Sequence, residues 1–164
     1  MKEIFVLRHA KSSWDNVNLS DHDRPLADRG IKDAAKLCVF VKNKGYVLDK
    51  VLCSTAKRAK ETFDLTADGF NFEIDKTTYT DKLYFGDATD LIKHLRELDE
   101  SLNNILIVGH NPTLHHLVEL LANEQIDRFT TCNLAVISHV GKWITLNPHK
   151  CSLKSLIRPK DLAN

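Results

Sequence analysis

The sequence predicts an α/β fold, a three-layer sandwich in which a mostly parallel central sheet is flanked by helices. Short, continuous apolar runs, at 4–7 and 104–108, are typical of strands buried on both faces. Longer segments between such runs carry apolar residues at helical spacing. Strands that alternate with helices along 164 residues indicate one α/β domain spanning 1–164.

The first part of the chain predicts two strand–helix units. Residues 4–7 form the first strand, and a polar loop follows over 11–24. The next helix ends at Gly45 and has an apolar face made of Ile31, Ala34, Ala35, Cys38 and Val41. Residues 51–53 form the second strand. The helix after it has a face made of Ala59, Thr62, Phe63 and Thr66.

The middle of the chain predicts two more strands and two more helices. Residues 73–80 are expected to form a strand, and the following helix has a face made of Ala88, Leu91, Ile92, Leu95 and Leu98. The apolar run 104–108 is the clearest buried strand. Pro112 suits the first turn of a helix, whose face is made of Leu114, Leu117, Val118 and Leu121.

The last part of the chain predicts a β-hairpin and a tail. The runs 134–139 and 143–146 flank Gly141-Lys142, as the two strands of a hairpin flank their turn. Residues 148–164 are polar and basic with a second proline, which predicts an irregular C-terminal tail.

Composition excludes several classes of partner. Lys and Arg total 23 against 22 Asp and Glu, so the net charge is only +1. A nucleic-acid binder or a polybasic membrane-surface protein that works by bulk charge needs a clear surplus of cations.

No apolar run reaches the roughly 18–20 residues of a membrane span. The four cysteines form no Cys-x-x-Cys pair, and the start of the chain does not resemble a signal peptide, so we expect a cytoplasmic protein with reduced thiols.

Charged and imidazole side chains follow three of the predicted strands. Arg8 and His9 come after the first, Arg58 lies one helical turn beyond the second, and His110 follows the run 104–108. Ligand sites of such sheets form beyond the carboxyl ends of the strands, so we expect these four side chains to converge. Guanidinium groups match phosphate oxygens, and an imidazole can attack phosphorus near neutral pH. The pattern predicts a pocket for a phosphoryl group.

The motifs resemble those of the histidine phosphatase superfamily. Leu7-Arg8-His9-Ala10 is similar to its first motif, whose usual form is Arg-His-Gly. The second and third motifs are matched by Ser54-x-x-x-Arg58-Ala59-x-Glu61-Thr62 and by Gly109-His110-Asn111-Pro112. The Arg-His-Ala-Lys variant and Asp23-Arg24-Pro25-Leu26-x-x-Arg29-Gly30 resemble the SixA-type phosphohistidine phosphatases. The resemblance implies a phosphoglycerate mutase-like fold.

The resemblance also implies roles for the four side chains. His9 would be the nucleophile that carries a phosphohistidine intermediate, and Arg8, Arg58 and His110 would hold the phosphoryl oxygens and stabilise developing charge. These fixed groups need no metal and no cofactor. A phosphorylated protein or a small phosphorylated molecule would be the partner.

One departure from the family concerns the acid that protonates the leaving group. The stretch 80–87 contains no matching glutamate motif, although Asp81, Tyr84 and Asp87 are candidates for that role. Asp87 directly precedes a helix, which favours a capping role for it. Phosphohistidine has a weaker bond to phosphorus, and its imidazole leaves as a neutral group once protonated. The missing acid therefore favours phosphohistidine over a sugar phosphate.

Further candidates lie near these motifs. Lys11, Ser12 and Arg24 are expected to contact phosphate or substrate, with loop solvation or an Arg24–Asp23 ion pair as the alternative. On a later helix, His115, His116 and Glu119 lack the His-Glu-x-x-His spacing of a metal site.

Three functions are consistent with the sequence. We expect a metal-independent phosphohistidine phosphatase. A phosphomonoesterase or phosphoglycerate-mutase-like enzyme is the alternative, and it requires an acid between residues 80 and 90. A phosphate-binding module without turnover is the third function, and the intact nucleophile argues against it.

Overall fold

A computed structural model describes residues 1–163 and contains one six-stranded sheet. Its strands are β1 (Lys2–Arg8), β2 (Lys50–Ser54), β3 (Thr78–Thr80), β4 (Asn104–Gly109), β5 (Leu134–His139) and β6 (Ser152–Ile157). They lie in the order β3-β2-β4-β1-β5-β6. β3, β2, β4 and β1 pair in parallel with one another. β5 is antiparallel to β1, and β6 is antiparallel to β5.

Helices cover both faces of the sheet. They are α1 (Asp28–Lys44), α2 (Lys57–Thr66), α3 (Lys82–Phe85), α4 (Ala88–Arg96) and α5 (Thr113–Ala122). Alternate residues of β1 enter two separate apolar clusters: Ile4 and Val6 share one with α4 and α5, while Phe5 and Leu7 share the other with α1 and α2. This period of two buries both faces of the strand. The predicted three-layer α/β sandwich is confirmed.

The predicted C-terminal hairpin is wrong, and the tail is not irregular. Residues Trp143–Thr145 form a 3₁₀ turn that places the Trp143 indole in the core, where its Nε1 donates to the Leu102 carbonyl at 2.7 Å. The strand that pairs with β5 is β6, inside the segment expected to be a tail. Its Ser152 and Lys154 are exposed, which suits an edge strand. A register shift between Val136 and Ile137 leaves Lys154 without an opposite residue, so the regular alternation in the sequence is short.

Two other expectations need correction. Within 73–80 only β3 is a strand, since Ile74–Lys76 forms a 3₁₀ turn. The buried stripe of α1 is Gly30, Ala34, Leu37 and Val41. Ile31 and Ala35, expected on that face, are exposed.

The cysteines are free thiols, and none of the described helices is long and apolar enough to span a bilayer.

Candidate active site

Three parallel strands end at one edge of the sheet and supply the predicted residues. His9 follows β1, Arg58 lies in the first turn of α2 just beyond β2, and His110 follows β4. A pocket of about 280 Å³ opens at this edge. Its wall contains all seven site residues predicted from the sequence: Arg8, His9, Lys11, Ser12, Arg24, Arg58 and His110. Trp14, Asn111 and Thr131 complete the wall.

His9 is held in one tautomer. Its Nδ1 lies 2.7 Å from the carbonyl oxygen of Ala10, and because a carbonyl can only accept, Nδ1 must carry the proton. In the neutral ring the lone pair then lies on Nε2. The side chain is 7% exposed. The local fold therefore presents a defined, largely desolvated nitrogen nucleophile to the pocket.

The main chain of His9 is fixed by its neighbouring strands. Its amide donates to the Gly109 carbonyl at 2.9 Å, at the end of β4. On the other side, the amide of Cys132 donates to the carbonyls of both Arg8 and His9, at 3.1 and 3.0 Å. The next amide, that of Ala10, donates to Oγ1 of Thr62 at 2.9 Å. Backbone and side chain of the nucleophile are therefore both constrained.

His110 lies beside His9, with 5.0 Å between ring centroids. Its Nε2 is 2.8 Å from the hydroxyl of Ser54, the last residue of β2. Its Nδ1 is buried and has no hydrogen-bonding partner among residues 1–163. His110 therefore lines the pocket with a ring that is anchored to the end of β2 through one nitrogen.

Burial makes both imidazoles difficult to protonate in the empty pocket. It lowers the pKa of His9 to about 4, and the positive charges of Arg58, Arg8 and Arg24 contribute in the same direction. Burial, then His9 and Arg58, lower the pKa of His110 to about 3. Both rings are therefore neutral at pH 7 when no anion is bound.

The two predicted guanidinium groups are held differently. Arg8 donates to the Phe129 carbonyl at 3.2 Å, and its buried Nε has no partner within residues 1–163. Arg58 is 7% exposed and donates through both terminal nitrogens to Asp21, at 2.6 Å to the carbonyl and 3.0 Å to Oδ2. Glu61, three residues after Arg58 on α2, accepts from the Leu26 amide and is not a partner of Arg58.

The loop after His9 carries the remaining predicted residues. Arg24 donates to the Ser13 carbonyl, to Asp21 and to the Ser12 hydroxyl, at 3.0, 3.1 and 2.7 Å. The ion pair is therefore with Asp21 rather than with Asp23. Lys11 lies against Gly30 of α1, where a Cβ would stand only 2.2 Å from the Lys11 carbonyl oxygen. This close approach requires glycine and holds the loop against the pocket.

Asp21 is the residue that the sequence analysis missed. One carboxylate accepts from Arg24, Arg58 and the Tyr84 hydroxyl, the last at 2.6 Å. These bonds, with that of Tyr84 the largest contribution, hold the pKa of Asp21 well below its usual range. The only signal in the sequence is the spacing of three between Asp21 and Arg24.

The three acid candidates from 80–87 do not enter the pocket. Asp81 accepts from the Thr55 hydroxyl. Asp87 caps α4 by accepting from the Asp90 amide at 2.9 Å, as expected. The Tyr84 hydroxyl donates to Asp21, whose negative charge raises the pKa of that phenol. The described pocket wall contains no carboxylate.

The histidines of α5 do not build a metal site. His115 Nε2 lies 2.9 Å from the Ile126 carbonyl and 3.5 Å from Glu119, whose other oxygen accepts from the Ile126 amide. Within residues 1–163 no group of three or more His, Cys, Asp or Glu side chains could hold a metal ion.

The family model described as "Histidine phosphatase superfamily (branch 1)" matches residues 4–99. An uncharacterized protein of Mycobacterium leprae is 32% identical over 166 residues, covering 94% of this chain and its own whole length. The phosphohistidine phosphatase SixA of Escherichia coli is 26% identical over 138 residues, covering 83% of this chain and 84% of its own.

A solved structure shares the fold. The protein histidine phosphatase SixA in complex with tungstate superimposes with a TM-score of 0.85 at 23% identity, and the match covers 97% of this chain and 98% of that one. The match to the family model includes both His9 and Arg58. The chain therefore belongs to the histidine phosphatase superfamily, branch 1, and is a phosphatase.

Proposed function

We propose that this phosphatase removes the phosphoryl group of phosphohistidine, through a phosphorylated His9 intermediate. The observation that carries the proposal is the combination of a neutral His9, with its lone pair on Nε2, and a pocket wall that has cations but no carboxylic acid. The first feature supports nucleophilic attack on phosphorus. The second restricts which leaving groups the site can expel.

The first step transfers the phosphoryl group to His9. The Nε2 lone pair forms a bond to phosphorus while the bond from phosphorus to the substrate nitrogen breaks, and its electron pair returns to the substrate imidazole. Arg8 and Arg58 face the phosphoryl oxygens, so their charges offset the negative charge that a loose transition state spreads over those oxygens. The dianion also raises the pKa of His110, which favours donation by its ring.

The leaving group decides the substrate class. An ester leaves as an alkoxide and needs a positioned acid, whereas a protonated phosphoimidazole leaves as neutral imidazole. Asp21 is held ionised by its three donors and cannot act as that acid. Asp81 and Asp87 are engaged outside the pocket. The ring of Tyr84 packs against that of His110, with 5.3 Å between centroids, but its hydroxyl proton is donated to the ionised Asp21. The phosphomonoesterase alternative therefore lacks the acid it requires.

The second step regenerates the enzyme. Water attacks phosphorus, the bond to Nε2 of His9 breaks, and its electron pair returns to the ring. The proton of the water passes to the phosphate product or to solvent. Arg8 and Arg58 again stabilise the charge that develops.

The pocket volume is compatible with one phosphorylated side chain as the bound group. At about 280 Å³ it falls just below the range of roughly 300–1,000 Å³ that is usual for drug-sized ligands. One phosphorylated side chain fits, while the rest of the substrate remains outside. We therefore propose a histidine-phosphorylated protein as the partner, in the cytoplasm.

A comparison of substrates tests the proposal. The purified protein would be given a histidine-phosphorylated protein, p-nitrophenyl phosphate and a sugar phosphate under identical conditions. We expect kcat/KM for the phosphohistidine protein to exceed that for the sugar phosphate by at least about 100-fold, since a positioned acid contributes roughly 10²–10⁴ to ester cleavage. A preference for the sugar phosphate would overturn the proposed substrate.

A second measurement tests the intermediate. Rapid quenching in alkali, which preserves phosphohistidine, should trap a phosphoryl group on His9, identified by mass spectrometry. The variant His9→Gln should trap none, whereas His116→Gln, on an exposed face of α5, should trap the same amount as the original protein. Turnover of the substrate by His9→Gln would exclude the covalent route.

A further inference from the structure

Trp14 is held rigidly on the loop that follows the nucleophile. On one side, Ser12 forms an isolated bridge with Leu26, and the Ser13 amide donates to the Pro25 carbonyl at 2.8 Å. On the other, the Asp15 amide donates to the Ser13 hydroxyl at 3.1 Å. The backbone on both sides of the indole is therefore anchored, and the position of the ring is defined.

One face of the indole covers a guanidinium group. The Cζ atom of Arg24 lies 3.3 Å from the centroid of the Trp14 ring. All three nitrogens of Arg24 already donate to Ser13, Asp21 and Ser12. Because those bonds fix the guanidinium without the indole, the stack orients Trp14 rather than Arg24.

The opposite side of the indole is open. Trp14 is 70% exposed although it forms part of the pocket wall. Isolated exposed apolar residues are common, and Val17 on the same loop is one, at 89%. Trp14 differs from Val17 because it is oriented by a stack and borders the phosphoryl pocket. A large aromatic surface held in this way is suited to contact a ligand.

The fractional exposures of the pocket residues indicate that the open face of the indole lies on the side from which the leaving group departs. His9, Arg58 and His110 are each 7–8% exposed and form the buried part of the pocket, whereas Trp14 and Lys11 are exposed and lie at its mouth. In an in-line displacement the leaving group is opposite the attacking Nε2 and so points toward the mouth. The group that departs from phosphorus therefore passes beside the indole.

We infer that Trp14 forms a subsite for the leaving group, in which the aromatic ring of the phosphorylated residue packs against the indole. The inference rests on the proposed function, and it makes Trp14 a specificity-determining residue. For phosphohistidine the ring is the imidazole that departs. Phospholysine carries an equivalent bond from phosphorus to nitrogen but a flexible aliphatic chain, so it gains little from the same surface.

Two peptides of identical sequence, one with phosphohistidine and one with phospholysine, provide the test. The ratio of their kcat/KM values isolates the contribution of the ring. We expect Trp14→Ala to lower the ratio of phosphohistidine to phospholysine about 5–10-fold, mainly through KM, as an aromatic pair of ordinary strength would. Trp14→Phe should restore most of the ratio, and the loop control Val17→Ala should leave it unchanged.

Equal losses for both peptides would overturn the inference, because Trp14 would then act only through Arg24. A wild-type preference for phosphate esters would instead overturn the proposed substrate, and the same variants would then be compared on phenyl phosphate and ethyl phosphate. A selective loss with phenyl phosphate would support the subsite independently of phosphohistidine. An equal loss with both esters would refute it.

Discussion

Two of the surface cavities formed by residues 1–163 differ greatly in size, and the smaller of the two contains the candidate catalytic residues. The larger, about 610 Å³, is lined by the start of α4, by α5 with the loop after it, and by His149. Its charged residues include Asp87, Glu119 and Glu124, which repel a phosphoryl group. The smaller, about 280 Å³, has three arginines and a lysine in its wall.

The difference shows that volume does not identify this site. The small pocket gathers side chains from the ends of separate parallel strands, and it buries two histidines and two guanidinium groups there. Such groups are expensive to desolvate, and a bound anion compensates that cost. The larger cavity presents an exposed His116 and a carboxylate, Asp87, that caps a helix. Matched substitutions in the two cavities can test this distinction.

The largest difference is expected for the histidines. His9→Gln removes the nucleophile and should lower kcat/KM roughly 10⁴-fold or more, with circular dichroism unchanged. His116→Gln, in the larger cavity, should retain activity within about twofold, as is usual for a surface change away from the site. Steady-state kinetics on phosphohistidine protein measure both. Comparable losses in the two variants would remove the distinction between the cavities.

Replacing a pocket guanidinium should have the next largest effect. Arg58→Lys keeps the charge but loses the planar fork, so we expect kcat to fall about 10²–10³-fold, as on removal of one transition-state donor. Arg29→Lys is the matched control, because Arg29 is exposed and pairs with Asp33 on α1. If Arg58→Lys kept full activity, the positive charge of Arg58 alone, and not its directed hydrogen bonds, would account for its contribution to kcat.

Substitution of Asp21 tests whether residues behind the pocket hold the pocket arginines in position. Asp21→Asn weakens the contacts to Arg24 and Arg58, and we expect about a 10–100-fold loss in kcat, comparable with the cost of a small misplacement in other sites. Asp23→Asn, in the same 3₁₀ turn and largely exposed, is the control. Unchanged kinetics in Asp21→Asn would show that the two guanidinium groups hold their positions without it.

The buried histidines should make folding sensitive to acid. In the unfolded chain a histidine has a pKa near 6.5, whereas His9 in the fold has one of about 4 and His110 one of about 3. The unfolded state therefore binds more protons as the pH falls, and each histidine should lower the free energy of unfolding by about 2 kcal/mol between pH 7 and pH 5. Urea denaturation measures this loss. His9→Gln and His110→Gln should each lose about half of this pH dependence, and an undiminished dependence in both variants would contradict the assignment.

The smallest effect is expected at the edge of the larger cavity. Asp87→Ala removes the cap of α4 and should reduce the free energy of unfolding by about 1 kcal/mol. Activity on phosphohistidine protein should stay within twofold of the original. A large loss of kcat without a loss of stability would instead identify Asp87 as the missing acid.

The convergence of the four motif residues could be predicted from the sequence, for a simple geometric reason. Parallel strands end at the same edge, so their order along the chain is enough to predict that Arg8, His9, Arg58 and His110 converge. The partners of these residues could not be predicted in the same way. Asp21 reaches Arg58 across 37 positions from the short 3₁₀ turn Asp21–Asp23, and no periodic pattern in the sequence indicates such a contact.

The C-terminal part of the fold was harder to predict because local and long-range signals conflict there. The apolar run at 143–146 looks like a strand, yet burial of the Trp143 indole in the core and a bond to the Leu102 carbonyl favour a 3₁₀ turn. The partner of β5 is β6, in which the register shift opposite Val136 and Ile137 interrupts the alternation after Lys154. Strand pairing of this kind depends on tertiary contacts.

The hydrogen bonds of the His9 main chain determine how fast the backbone of the nucleophile can move. Its amide is bonded to the end of β4, and its carbonyl to the amide that leads into β5, so the nucleophile joins three central strands. Such a segment moves only in rare, cooperative openings of the sheet, far more slowly than an exposed loop fluctuates. During turnover the nucleophile therefore behaves as a stationary element, and any motion that admits substrate or releases phosphate belongs to the substrate itself and to the exposed loop residues 15–20 beyond Trp14.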